Sequence, residues 1–104
     1  MPAFDVCAKI VRDCCTEILE MAETGEWREI PQLEMRDLFG FDGLGSAWPA
    51  LARLKRLAEE GQLTPVQLRE VAELEELAAR TKPIMEKILL GYRDLVRRGL
   101  VPRQ

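Results

Sequence analysis

The stretch Leu63-Thr64-Pro65-Val66-Gln67-Leu68 decides the fold, because it begins the longest helix that the sequence predicts. Thr64 is a typical N-cap residue, Pro65 suits the first helical position, and Gln67 is placed to complete a capping box with Thr64. Core-type residues then recur at spacings of three and four: Val71, Leu74, Ala78, Thr81, Met85, Ile88, Tyr92 and Leu95. This pattern predicts one helix over about 65–98 that ends at Gly99.

Pro83 lies inside this predicted helix. A proline in a helix interior removes one backbone hydrogen bond and crowds the preceding turn, so we expect a kink there. The hydroxyl of Thr81 is close enough in sequence to donate to the carbonyls that the proline leaves free.

The chain before residue 63 has the same periodicity in shorter pieces. Phe4, Cys7, Val11, Cys14, Ile18 and Ala22 predict a helix over about 4–24, which Gly25 ends. The pattern restarts at Glu26 and predicts a second helix over about 26–39, although Pro31 requires it either to bend or to begin near Ile30. A glycine-rich loop over 40–45 follows, and Ser46 caps a helix over about 47–60.

These segments predict an all-α protein, with residues 1–104 forming a single helical domain. We expect an antiparallel bundle of three long helices plus one short helix, of which the C-terminal helix is long and kinked.

Composition narrows the classes of function. The chain has 104 residues, of which 47% are hydrophobic and 32% charged, and this is typical of a globular protein. It contains no histidine, the commonest general base and metal ligand, and no nucleophile is paired with a base. The sequence therefore predicts a protein that is not an enzyme and that needs no cofactor.

The three cysteines, Cys7, Cys14 and Cys15, lie within nine residues. They have no second cluster with which to form a disulfide framework, and no fourth ligand for zinc. We interpret them as small apolar residues of a helix in a reducing compartment. No apolar run approaches the length of a membrane span, and the N-terminus lacks the basic start of a signal peptide, so we expect a cytoplasmic protein without a membrane span.

Basic residues are concentrated near the end of the chain, at Arg93, Arg97, Arg98 and Arg103. They suggest phosphate binding as one alternative. The macrodipole of the long helix is the stronger explanation for cations at its C-terminus, and the net charge of −3 opposes binding to a phosphate backbone. We therefore expect no nucleic-acid partner.

Residues 18–36 resemble the FliT-type flagellar type III export chaperones, in which a first helix, a Gly-Glu-Trp turn and a second helix follow one another. The matching positions are Leu19, Ala22, Gly25, Glu26, Trp27, Glu29, Ile30, Leu33, Glu34 and Arg36. The stretch 64–95 also looks like the long third helix of that family. The sequence departs from the family at Pro31, in the glycine-rich segment with its extra helix, and in ending soon after Gly99, before most of the C-terminal segment that covers the client surface in some members.

The resemblance implies a cytoplasmic chaperone that binds the flagellar filament cap protein and shields it before secretion. It also allows export-apparatus components and a flagellar transcription activator as partners. A competing interpretation is a homodimeric regulatory adaptor or anti-activator that sequesters a transcription factor.

A chaperone of this kind would hold an amphipathic client segment in a groove between its helices. The candidates for partner binding are the apolar residues of the long helix beyond a single stripe, Leu77, Ile84, Leu89 and Val96, together with Met85 and Tyr92 near them. The alternative is that all of them belong to the core. Gly25 and Trp27 are expected to form the structural turn, with the indole wedged between two helices.

Overall fold

The computed structural model describes residues 2–39 and 47–103, and the regular secondary structure in these ranges is entirely helical. The helices are α1 (Pro2–Thr24), a 3₁₀ helix (Glu26–Glu29), α2 (Gln32–Phe39), α3 (Ala47–Glu59) and α4 (Pro65–Arg97). The predicted all-α class is confirmed. The loop predicted over 40–45 and the Ser46 cap lie outside the described residues.

Helix α4 begins as its sequence predicts. The Thr64 hydroxyl accepts a hydrogen bond from the Gln67 amide at 3.2 Å, and the Gln67 side-chain oxygen accepts one from the Thr64 amide at 2.9 Å. Both halves of the capping box are therefore present. At about 1.5 Å per residue the 33 residues of α4 give about 50 Å, which equals the longest dimension of the molecule, 50 Å.

Helix α4 continues through Pro83. Both Pro83 and Ala79 are exposed, so the carbonyl of Ala79 that the proline leaves unpaired is on the hydrated side of the helix. The expected role of Thr81 is wrong, because its hydroxyl donates to the carbonyl of Leu77 at 2.7 Å and not to that of Ala79.

Two of the helices end in the same hydrogen-bonded motif at a left-handed glycine. After α4, Gly99 has φ +70°, and the amides of Gly99 and Leu100 donate to the carbonyls of Val96 and Leu95. After α3, Gly61 also has φ +70° and is bonded in the same way. This is the Schellman motif, which satisfies the last carbonyls of each helix and reverses the chain.

Of the two outcomes expected for the second helix, a bent helix over 26–39 is wrong, and a helix that begins near Ile30 agrees with the structure, in which α2 begins at Gln32. The 3₁₀ helix ends at Ile30, whose φ of −71° and ψ of 128° are extended, and α2 has only eight residues. The cause is Pro31, which disfavours a helical conformation in the preceding residue and has no amide to donate. Its carbonyl accepts from the amide of Met35 at 3.0 Å, so Pro31 begins α2 and does not bend a longer helix.

The helices pack around two core clusters. The first contains Phe4, Cys7, Ala8, Val11, Cys15, Ala50, Leu51, Leu54, Val71, Leu74 and Ala78. The second contains Ile18, Met21, Met35, Ala47, Met85, Ile88, Tyr92 and Val101. The first halves of α1 and α4 thus meet in one cluster and their second halves in the other.

This order shows that α1 and α4 run parallel to one another and that α3 runs antiparallel to both. The predicted antiparallel bundle of three long helices is therefore wrong in part. Two helices are long, and α3, with 13 residues, is the antiparallel one. The reason is that α3 returns the chain to the beginning of α1 before α4 starts.

Candidate functional site

An apolar groove of about 210 Å³ lies between the C-terminal end of α1 and the second half of α4. Its lining residues are Ala22 of α1, Trp27 of the 3₁₀ helix, and Ile84, Lys87 and Ile88 of α4. Ile88 is only 3% exposed and belongs to the second core cluster, so the groove reaches down to the core.

Ala22 explains why this groove exists. It follows Ile18 by four residues and Cys15 by seven, so it continues the stripe of α1 that is buried at both of those positions. Ala22 itself is exposed. In its last turn the core-facing side of α1 is therefore covered at Met21 and left uncovered at Ala22.

The groove lies on the side of α4 away from α3. Lys82 marks the α3 side, because its ammonium group is 5.7 Å from the ring centroid of Trp48. Lys87 follows five residues later, roughly 140° further around the helix. A helix laid in the groove would therefore extend the bundle on its open face without displacing α3.

Trp27 closes one end of the groove. The chain reverses at Gly25, whose φ of +77° is left-handed, and the half-buried indole of Trp27 then packs against the second core cluster. A Cβ atom on Gly91 would lie 2.7 Å from Cη2 of Trp27, so the ring rests directly on the backbone of α4. The guanidinium of Arg28 stacks over the indole at 4.6 Å from its centroid.

Gly91, which gives the indole of Trp27 its close approach to α4, is a position that the sequence analysis missed. Its signal is a glycine inside a strong helical pattern, which costs about 1 kcal/mol relative to alanine and often marks a close approach. The partner in that approach is distant in sequence, so the pattern alone does not identify Trp27.

The six expected partner-binding residues do not form one surface. Met85 and Tyr92 are only 4% and 6% exposed and belong to the core, so their assignment to an exposed site is corrected. The other four, Leu77, Ile84, Leu89 and Val96, are half-buried at the edges of the core clusters. Residues at the edges of a wide apolar stripe pack sideways against neighbouring helices. This position explains the partial burial of these four residues.

Only Ile84 of these six lines the groove. Leu77 precedes Ile84 by seven residues, or two helical turns, and lies on the same side of α4. Leu89 is roughly 140° around the helix from Ile84 and lies with Val96 on the opposite side. Ala22 and Lys87 are groove residues that the sequence analysis did not select. Ala22 belongs to the apolar pattern that predicts α1, and nothing in the local sequence distinguishes Lys87 from other exposed lysines.

The C-terminal residues fold back onto α2. The carbonyls of Pro102 and Arg103 accept hydrogen bonds from the amides of Gln32 and Leu33 at 3.0 and 3.2 Å, and Val101 is only 6% exposed. These carbonyls satisfy two of the amides that the N-terminus of a helix leaves free. The residues that follow α4 thus cap the N-terminus of α2 and add Val101 to the second core cluster, which the sequence analysis did not predict.

Tyr92 joins this region to the turn before α2. Its hydroxyl donates to the carbonyl of Ile30. Burial, and then the negative charge of Glu34, raise the pKa of the phenol above its ordinary value of about 10.

We expect this raised pKa to make the protein less stable in alkali. The unfolded chain loses the phenolic proton more easily, so the contribution of Tyr92 to the free energy of unfolding is complete below pH of about 10 and is lost as the pH rises toward its folded pKa. Tyr92 is the single tyrosine of the chain, so an absorbance titration of tyrosinate measures it directly. A titration midpoint at the ordinary value would contradict the prediction, and Tyr92→Phe should remove this part of the alkaline loss.

The cysteines and carboxylates form no metal centre in the part of the chain that the structure describes. No group of three or more cysteine, aspartate or glutamate side chains in residues 2–39 and 47–103 is placed to hold an ion. Cys7 and Cys15 are buried, and burial raises the pKa of the Cys15 thiol, although a hydrogen bond with Thr81 partly opposes this effect. Cys15 is therefore a neutral thiol at neutral pH and a poor nucleophile.

No protein-family model matches the chain, and no curated protein sequence or solved structure matches it. Among the described residues, no helix is both long enough and apolar enough to cross a membrane. The fold and the groove define a class, a helical protein with an open apolar site between two parallel helices.

Proposed function

We propose that this protein is a cytoplasmic export chaperone of the FliT type, which binds the flagellar filament cap protein before type III secretion. The observation that carries the proposal is the apolar groove between α1 and α4, where the buried stripe of α1 continues to the exposed Ala22. Such a groove has the form needed to receive the apolar face of an amphipathic helix.

The position of the groove also supports the resemblance to export chaperones. The segment 18–36 that carries the resemblance includes Ala22 and Trp27, which form one wall and one end of the groove. The second long segment of the resemblance, 64–95, supplies the opposite wall through Ile84, Lys87 and Ile88. Both parts of the resemblance therefore meet at the same site.

In this function the protein buries an apolar surface of its client and does not catalyse a reaction. A client helix that places its apolar side against Ala22 and Ile84 removes that side from water, at about 25 cal/mol for each Å² buried. The same contact hides the client from other copies of itself, because the surface through which they would associate is occupied. No cofactor takes part.

The test is binding of the C-terminal segment of a flagellar cap protein, measured by calorimetry. We expect the original protein to bind it and Ala22→Glu to reduce the affinity at least tenfold, because the longer side chain would occupy the groove beside Lys87. Ala22 is exposed, so the variant should keep its helical circular dichroism. Ala52→Glu is the matched control, because Ala52 is an exposed alanine of α3. This variant should bind the cap segment with the same affinity as the original protein.

Two results would count against the proposal in different ways. If the original protein does not bind the cap segment, the chaperone function is wrong. If Ala22→Glu binds as well as the Ala52→Glu control, the groove is not the site. Capture of a flagellar transcription activator in place of the cap protein would identify the regulatory adaptor as the correct alternative.

A further inference from the structure

Lys87 is the one charged side chain among the five residues that line the groove. The other four are apolar. Lys87 forms no ion pair with any residue in 2–39 or 47–103, where the ion pairs join Lys9 to Asp13, Arg12 to Glu70 and Arg98 to Asp94. Its ammonium group is therefore a cation at the edge of an apolar site, and its charge is still available to an occupant.

Lys87 lies on the α4 wall of the groove, whereas Ala22 and Trp27, on the other wall and at one end, carry no charge. The guanidinium of Arg28 is stacked over the indole of Trp27. Lys87 therefore gives an occupant a preferred side, the α4 wall, for a carboxylate.

The size of the groove limits what it can hold. Its volume of about 210 Å³ is below the range of about 300–1,000 Å³ that is typical of small-molecule sites. It suits one large apolar side chain. Because the walls are two helices, the segment that carries this side chain can lie along them as a third helix.

We infer that the groove takes a single large apolar side chain from an amphipathic helix of a partner protein, and that an aspartate or glutamate one turn away pairs with Lys87. This inference rests on the proposed function and adds the chemistry of the partner. The apolar side chain supplies most of the binding free energy, and the carboxylate selects among apolar helices.

The experiment compares two versions of one amphipathic helical peptide with a central phenylalanine. The acidic version has glutamate one turn before and one turn after the phenylalanine, and the basic version has lysine at the same positions. We expect the original protein to bind the acidic peptide about threefold or more tightly, in keeping with the strength of exposed ion pairs. Lys87→Glu should reverse this preference.

Lys55→Glu is the control, because Lys55 is an exposed lysine of α3 and its variant has the same change in net charge. It should keep the preference for the acidic peptide. Equal affinities for the two peptides, or a preference that Lys87→Glu and Lys55→Glu change equally, would overturn the inference.

The failure of this inference is distinguishable from the failure of the proposed function. If the cap segment binds but neither peptide does, the chaperone function stands and the inference is wrong. If the acidic peptide binds through Lys87 but the cap segment does not bind, the inference stands and the choice of client is wrong.

Discussion

Replacing Leu54 by alanine should lower the free energy of unfolding by about 2–5 kcal/mol, as is usual for a buried leucine. Leu54 is fully buried, at 0% exposure, and it lies where α3 packs against both α1 and α4 in the first core cluster. The truncation leaves a cavity that the surrounding helices fill only in part. Since domains are stable by only about 5–15 kcal/mol, urea denaturation followed by circular dichroism should show a large fall in the midpoint.

Leu90→Ala is the matched control, because it makes the same truncation on the surface. Leu90 is 64% exposed, and its replacement should change the free energy of unfolding by no more than about 0.5 kcal/mol. If the two variants have similar midpoints, α3 does not pack as described. A lower midpoint with an unchanged m-value indicates a loss of stability, whereas a changed m-value indicates a change in the unfolded state.

Replacing Gly91 by alanine should destabilise the protein by about 1–3 kcal/mol, although the same change in a free helix would stabilise it by about 1 kcal/mol. The added methyl group would lie 2.7 Å from Cη2 and 3.3 Å from Cζ3 of Trp27, and a rigid indole in contact with the core has little room to move away. The change should also weaken client binding, because Trp27 forms the end of the groove.

A double-mutant cycle tests the cause of this effect. In a Trp27→Leu background the obstacle is absent, so Gly91→Ala should become stabilising, by about the 1 kcal/mol of its helix propensity. In a Trp48→Leu background Gly91→Ala should remain destabilising, because Trp48 packs on the other side of α4. A destabilising effect of Gly91→Ala that persists without Trp27 would show that the indole is not its cause.

The parts of the fold that the sequence predicts are those fixed by neighbouring residues. The bounds of α1 and α4 follow from their apolar spacing, and the capping box at Thr64 needs only the residues up to Gln67. The break at Pro31 is also a local feature, and the sequence allows either a bent helix or one that begins near Ile30. Which of the two forms depends on the backbone conformation of Ile30. The direction in which helices pack is not a local property, so the parallel order of α1 and α4 was not predicted.

The groove could be predicted only in part for the same reason. The predicted stripe of α1 includes Ala22, which the structure leaves exposed, because the burial of a stripe residue depends on which other element covers it. The core position of Tyr92 and the hydrogen bonds of Pro102 and Arg103 also depend on contacts between residues about sixty to seventy positions apart. No periodicity within one helix contains that information.

The parallel packing of α1 and α4 also determines when the fold can form during synthesis. The ion pair of Arg12 with Glu70 joins residues 58 positions apart, and the second core cluster needs Tyr92 and Val101. Contacts between such distant residues slow folding, because a long segment must close before they are made. The second half of the apolar stripe of α1, at Ile18 and Met21, therefore stays without its partners on α4 until that helix has been translated.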